Sequence, residues 1–257
     1  MIKAVFFDVD GTLVSHAENE VPASTRRSIN KLKERNIKCV VATGRHMLEL
    51  AELPVRDIEF DGYITLNGQL CLDDRRSVIC GTPISGKDKE QIIRLFEEQR
   101  LPIVLVEKDA MYINFVNQQV EQAQKAVSTD VPSPGSYTGN EIYQAVAYVD
   151  QKEGDFLKSC LPECKITRWN EYAVDIISCH GGKRYGIEQY LEKYSISRQE
   201  TMSFGDGEND IEMLEFTEVG IAMGNAGDEV KACADFAAAG IDEDGIEKAL
   251  QHYGLID

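Results

Sequence analysis

The chain reads as an α/β protein, a mainly parallel sheet interrupted by an inserted α+β domain, and three observations predict it. Short apolar runs alternate with amphipathic segments of helical period, polar turns rich in Asp, Gly or Thr stand directly after several of those runs, and the middle of the chain changes rhythm between Gly and Pro punctuation. A length of 257 residues accommodates one large domain or a core with a companion.

The elements follow in order. Ala4-Val5-Phe6-Phe7 has the unbroken apolarity of a buried strand. Pro22 opens a helix through about Glu34, because proline has no N–H to lose at a helix start, and Ile29 and Leu32 share a face of it. Cys39 to Ala42 is a second strand and Tyr63 to Leu66 a third; Asn67-Gly68 then signals a hairpin into Gln69–Leu72. Past the middle, Lys183 starts a helix to about Tyr194, and the strands Met202–Phe204 and Val219–Met223 flank a helix from Asp210 to Phe216.

Between Thr82 and His180 the texture differs. A helix over Lys87–Gln99 precedes strands at Pro102–Val106 and Met111–Phe115, a polar helical stretch, a break at Pro132-Ser133-Pro134-Gly135 and a strand over Ile142–Val149. Gly81, Pro83 and Gly181-Gly182 bracket it. We therefore expect a core of residues 1–81 and 181–257 and an inserted domain of residues 82–180, with strands at both ends returning to the core.

Charge narrows the function. Lys and Arg number 27 against 44 Asp and Glu, a formal charge of −17, which disfavours nucleic acid and anionic membranes because both need phosphates neutralised by cationic side chains. Metal cations suit such a chain. No run reaches the roughly 18 to 20 apolar residues of a membrane span, and Met1-Ile2-Lys3 lacks a signal-peptide layout, so a cytoplasmic protein is expected. The seven cysteines are odd in number and scattered, and the close pair Cys160 and Cys164 lacks a second ligand pair at zinc-site spacing; reduced, structural thiols are expected.

Asp8-Val9-Asp10-Gly11-Thr12 stands directly after the first strand. Ligands in open α/β sheets bind beyond the carboxyl ends of strands, and residues two apart in an extended segment project to one side, so two carboxylates are offered to one pocket. Such a pair repels itself unless a shared proton or a cation intervenes, and hard oxygen ligands suit Mg²⁺. A solvated acidic turn is the alternative, but four fixed positions arise by chance on the order of once in 10⁵ windows.

With that motif the chain resembles the haloacid dehalogenase superfamily, and within it the Cof-type phosphatases. The resemblance implies a Rossmann-like core with a C2-type cap in the insertion, a lid over the leaving group that would set substrate choice. It implies that Asp8 attacks phosphorus to form an aspartyl-phosphate, that Asp10 protonates the leaving alcohol and then activates water, and that the backbone carbonyl of Asp10 joins Asp8 and Asp206 around Mg²⁺. Thr43-Gly44-Arg45 follows the second strand; a Thr-Gly turn often only ends a strand, yet the family's second motif is a Ser or Thr here, which makes Thr43 and Gly44 phosphate-binding candidates. Arg45 is open between capping, pairing with a carboxylate and the site.

The third motif is a Lys at the start of the helix after the insertion, which matches Lys183, although Arg184 stands where many relatives have Gly and competes for the role. Gly205-Asp206-Gly207-Glu208-Asn209-Asp210 reproduces the fourth, which implies Asp206 on the metal, Asn209 orienting phosphate or Asp8, and Asp210 holding a metal-bound water or ordering the loop. An acidic helix cap is its plain alternative; an EF-hand is excluded by the missing alternating ligands and terminal Glu. Trp169, Tyr172, Asp175, Cys179 and His180 are left unassigned, and His46 is a weak candidate for substrate.

The expected activity is Mg²⁺-dependent hydrolysis of small phosphomonoesters, sugar phosphates or related metabolites by the resemblance, with the oligomeric state open. A phosphomutase would share the chemistry, and a receiver-like phospho-acceptor switch would share the acidic residues, Thr and Lys; an insertion of about a hundred residues speaks against the switch.

Overall fold

The computed structural model describes residues 1–126 and 130–257. Alternation along the first strand, β1 (Ala4–Phe7), sets the architecture: Val5 and Phe7 enter one apolar cluster, Ala4 and Phe6 another, and all four are fully buried. A strand buried on both faces needs helices on both faces. α1 (Ala23–Glu34) supplies one, with Ile29 and Leu32 against Val5 and Phe7. β2 (Lys38–Ala42) follows, then the short α2 (Met47–Leu50), β3 (Gly62–Thr65), β4 (Leu70–Asp73) and β5 (Val78–Gly81).

The insertion runs through α3 (Gly86–Glu97), β6 (Ile103–Val106), β7 (Met111–Ile113), α4 (Gln118–Ala126), β8 (Gln144–Tyr148), α5 (Gln151–Cys160), β9 (Cys164–Asn170) and β10 (Ala173–Ser178). Its five strands form an antiparallel sheet in the order β7-β6-β8-β10-β9. Ile92, Leu95 and Phe96 of α3 and Leu157 of α5 share an apolar cluster with Ile103, Leu105, Ala145, Ala147, Val174 and Ile176 of that sheet.

The chain then forms α6 (Lys183–Tyr194), β11 (Thr201–Gly205), α7 (Ile211–Phe216), β12 (Val219–Ala222), α8 (Asp228–Ala232), β13 (Phe236–Ala237) and α9 (Gly245–His252). The larger sheet has the order β13-β12-β11-β1-β2-β3-β4-β5, parallel from β13 through β3, with β4 antiparallel to β3. α9 joins the α1 face through Ile246, Ala249 and Leu250, and α6 and α7 cover the other with Ile187, Tyr190, Leu191 and Met213. The chain divides into two compact units, Met1–Cys80 with Gly182–Asp257, and Gly81–Gly181. No helix among the described residues is long and apolar enough to cross a membrane.

The register decides where chemistry gathers. Phe7 pairs with Val41 of β2 and Phe204 of β11, so three parallel neighbours end together, with Asp8, Thr43 and Asp206 just beyond their last residues. One expectation fails at the insertion. A strand rejoins the larger sheet at its first end, β5, but not at its second, where β10 belongs to the antiparallel sheet and α6 follows. Gly181-Gly182 makes that connection without needing a strand.

Candidate active site

Lys183, the first residue of α6, is 2% exposed, a position that a lysine tolerates only when its charge is matched. Its Nζ donates to Asp8 Oδ1 at 2.6 Å and to Asp210 Oδ1 at 2.5 Å, and both carboxylates are themselves buried. Burial works against the ammonium charge, but Asp210 and Asp8 raise its pKa above the ordinary lysine value. Arg184 instead pairs with Glu188 one turn along, on the exposed side of the helix. Lys183 is thus the cation that reaches Asp8.

Asp8 is the counterpart. Burial first, then the charge of Asp210, push its pKa well above the usual carboxylate range; Lys183 opposes this, and Asp206 and Asp10 add to it. Asp206 is raised to about 6, again by burial first, while the Thr12 hydroxyl, donating to its Oδ1 at 2.9 Å, favours the charged form. Carboxylate oxygens of Asp8, Asp206 and Asp210 lie within 4.8 Å of one another, so negative charge here exceeds what one lysine neutralises. This donor set is all hard oxygen, and a divalent cation such as Mg²⁺ fits it. Asp210 is the most occupied of the three: Oδ1 takes Lys183, and Oδ2 accepts from the N–H groups of Asp206 and Gly207 at 3.0 and 2.9 Å.

Asp10 is not one of those three, although its charge still acts on Asp8. β1 ends at Phe7, and directly after Asp10 the chain turns at Gly11 with a φ of +80°. A side chain at Gly11 would be strained there and its Cβ would fall 2.2 Å from Asp206 Oδ2. The Asp10 carboxylate is gripped by Arg45, whose Nε and Nη2 donate to its two oxygens at 2.9 and 3.0 Å while Nη1 reaches Glu49 at 3.2 Å. Burial disfavours the guanidinium charge, but Asp10 and Glu49 together raise the Arg45 pKa. Pairing with a carboxylate is therefore the role the sequence had left open for Arg45.

The loop after β2 is tied into the fold. The N–H of Thr43 donates to Ile64 O at 2.8 Å and its hydroxyl accepts from the N–H of Arg45 at 3.1 Å, so that amide serves the fold. Asn209 is exposed, and its Nδ2 donates to Asn67 Oδ1 at 3.0 Å. His46 is buried, its Nδ1 accepting from the N–H of Leu48 as the cap of α2.

Two side chains escaped the sequence reading. Asn225 Nδ2 donates to Gly11 O at 2.8 Å and Asp206 Oδ2 at 3.3 Å, and its Oδ1 accepts from the N–H of Ile241. Asn67 contacts Asn209. Both sit just past the ends of parallel strands, β12 and β3, the same signal that singled out Asp8, Thr43 and Asp206.

Residues 5–250 match the family described as haloacid dehalogenase-like hydrolase. The protein named "Putative phosphatase YkrA" of Bacillus subtilis (strain 168) is 31% identical over 257 residues, covering 99% of this chain and 98% of that one. The solved structure of BT1666 from Bacteroides thetaiotaomicron, described among phosphatases of the haloalkanoate enzyme superfamily, superimposes with a TM-score of 0.90 at 32% identity over 100% of this chain and 96% of that one. The subclass IIB sugar phosphatase BT4131 gives a TM-score of 0.86 at 34% identity, covering 99% of this chain and 100% of that one.

Proposed function

Since the chain belongs to the haloacid dehalogenase-like hydrolases and is a phosphatase of that family, we propose that it hydrolyses small phosphomonoesters, sugar phosphates or related metabolites, with Mg²⁺ and through an aspartyl-phosphate on Asp8. The observation that carries this reading is the buried contact of Lys183 with Asp8 beside Asp206 and Asp210. The sugar-phosphate class rests on the likeness to BT4131.

Asp8 and Asp206, with the backbone carbonyl of Asp10, would hold Mg²⁺, which supplies positive charge against the phosphoryl oxygens; Asp210, already committed to hydrogen bonds, backs them. A carboxylate oxygen of Asp8 attacks phosphorus as the ester P–O bond breaks. Lys183 holds Asp8 by Oδ1 and offsets charge on the transferring group, while Thr43, Gly44 and Asn209 bind phosphate. To act as the acid, Asp10 enters the step protonated, with one of its two Arg45 contacts given up for the proton and the other still aiming it, and it gives that proton to the departing alkoxide. It then takes a proton from water, whose oxygen attacks phosphorus, releasing orthophosphate and restoring the Asp8 carboxylate; one group serves both steps because each reverses the other's proton transfer. Residues 82–180 act as the C2-type cap and set substrate choice.

The test is phosphate release from a sugar-phosphate panel. Chelation with EDTA and Asp8→Asn are each expected to lower turnover more than about a thousandfold. Sustained release by Asp8→Asn, with mass spectrometry showing no reversion to Asp, would end the covalent reading.

A further inference from the structure

Between β3 and β4 the backbone takes a conformation that side-chain-bearing residues avoid. Leu66, Asn67 and Gly68 have φ values of 54°, 53° and 84° in succession. A buried leucine in the left-handed region persists only where its surroundings over-determine it, and such positions cluster at functional sites.

Three segments of the site meet this turn. The N–H of Leu66 donates to Arg45 O at 3.2 Å and that of Asn67 to Thr43 O at 2.9 Å, which fixes the loop after β2. The Asn67 carboxamide lies over Gly44, 3.2 Å from where a Cβ would stand, and its Oδ1 accepts from Asn209 Nδ2 at 3.0 Å. Gly68 abuts the start of α6 so closely that a Cβ would fall 1.9 Å from Gly182 O and 2.7 Å from the nitrogen of Lys183. The turn lies outside all four motifs, yet it touches the segments that present Thr43, Lys183 and Asn209.

Asparagine meets both demands at position 67. It tolerates left-handed φ better than other side-chain-bearing residues, and its carboxamide offers an acceptor. Asn209 is exposed, so burial does not lock its side chain, and the hydrogen bond it donates to a rigid neighbour supplies that constraint. We propose that Asn67 is a positioning residue of the phosphate site, its backbone fixing the Thr43–Arg45 loop and its carboxamide orienting the amide of Asn209. This rests on the phosphatase reading above.

The test uses inorganic phosphate as the probe, titrated calorimetrically into the full chain with excess Mg²⁺, beside steady-state hydrolysis of a sugar phosphate. Asn67→Gly keeps the left-handed backbone and removes only the carboxamide, so it is expected to melt near the wild type. Its phosphate Kd should rise about tenfold, as should that of Asn209→Ala, and the double variant should be no weaker than either single one, because contacting residues are non-additive. KM should follow Kd, with kcat changed less than about threefold.

A Kd for Asn67→Gly within twofold of the wild type, or losses that multiply in the double variant, overturns the proposal. If Asn67→Gly does not fold, Asn67→Asp keeps the shape and the acceptor while adding negative charge; it should raise the phosphate Kd at least tenfold, and an unchanged Kd overturns the proposal equally. A wild type that binds no phosphate sinks both readings. One that binds phosphate with the Asn67 dependence but never turns over sinks the phosphatase reading alone.

Discussion

Arg45 holds Asp10 by two parallel hydrogen bonds, a geometry that fixes the direction of a carboxylate as well as its charge. Proton donation by Asp10 matters most where the leaving group is a poor one. Arg45→Met should therefore lower kcat/KM on a sugar phosphate about a hundredfold, the lower end of what general acid catalysis contributes, and on an aryl phosphate with an acidic phenol less than about threefold. Arg45→Lys should recover only part of the difference, since a lysine cannot reproduce the paired contact. Equal losses on the two substrates would mean that Arg45 binds the ester and does not aim Asp10. The sequence left carboxylate pairing open for Arg45 but not its partner, because Asp10 and Arg45 are 35 positions apart and an arginine beside a Thr-Gly turn has many acidic partners to choose from in this chain. His46 shows the reverse case, a residue whose type suggested chemistry and whose buried position makes it the cap of a short helix.

Elements differ in how plainly they announce themselves. β1 and β2 were legible as short apolar runs, as strands buried on both faces tend to be, and β11, which also carries Thr201 and Ser203, by Met202 and Phe204; the acidic or Thr-Gly residues after the three marked the site. β9 was not: it is an edge strand carrying Lys165, Arg168 and Asn170, with no buried position to betray a period. β13 and α9 were missed as well, the strand because it is two residues long at a sheet edge, α9 because its apolar face is brief and gains meaning only against α1. α5 carries a capping box that local sequence does encode: Asp150 accepts from the N–H of Glu153 at 2.9 Å and Glu153 accepts from the N–H of Asp150 at 3.0 Å. Asp150→Ala should cost about 1 kcal/mol, read as a lower thermal midpoint. An unchanged midpoint would show that α5 is held by Leu157 and its neighbours alone.

At the scale of the molecule, residues Gly81–Gly181 have a sheet and an apolar cluster of their own. A segment that buries its own core is expected to fold by itself. Expressed alone, residues 81–181 should show a cooperative thermal transition and helix-plus-strand circular dichroism; a non-cooperative melt would mean that the segment borrows its stability from the rest of the chain. The larger unit has the opposite economy of sequence. β1 lies between β2, made almost at once, and β11, whose first residue comes 194 positions after Phe7 (201 − 7), and Lys183 and Asp210 arrive similarly late. At about 5 to 20 residues per second a ribosome needs roughly 10 to 40 seconds to bridge that interval. Until then the newborn chain carries a half-paired apolar ribbon and a carboxylate with no counterion, the kind of nascent species that a chaperone shields from its neighbours.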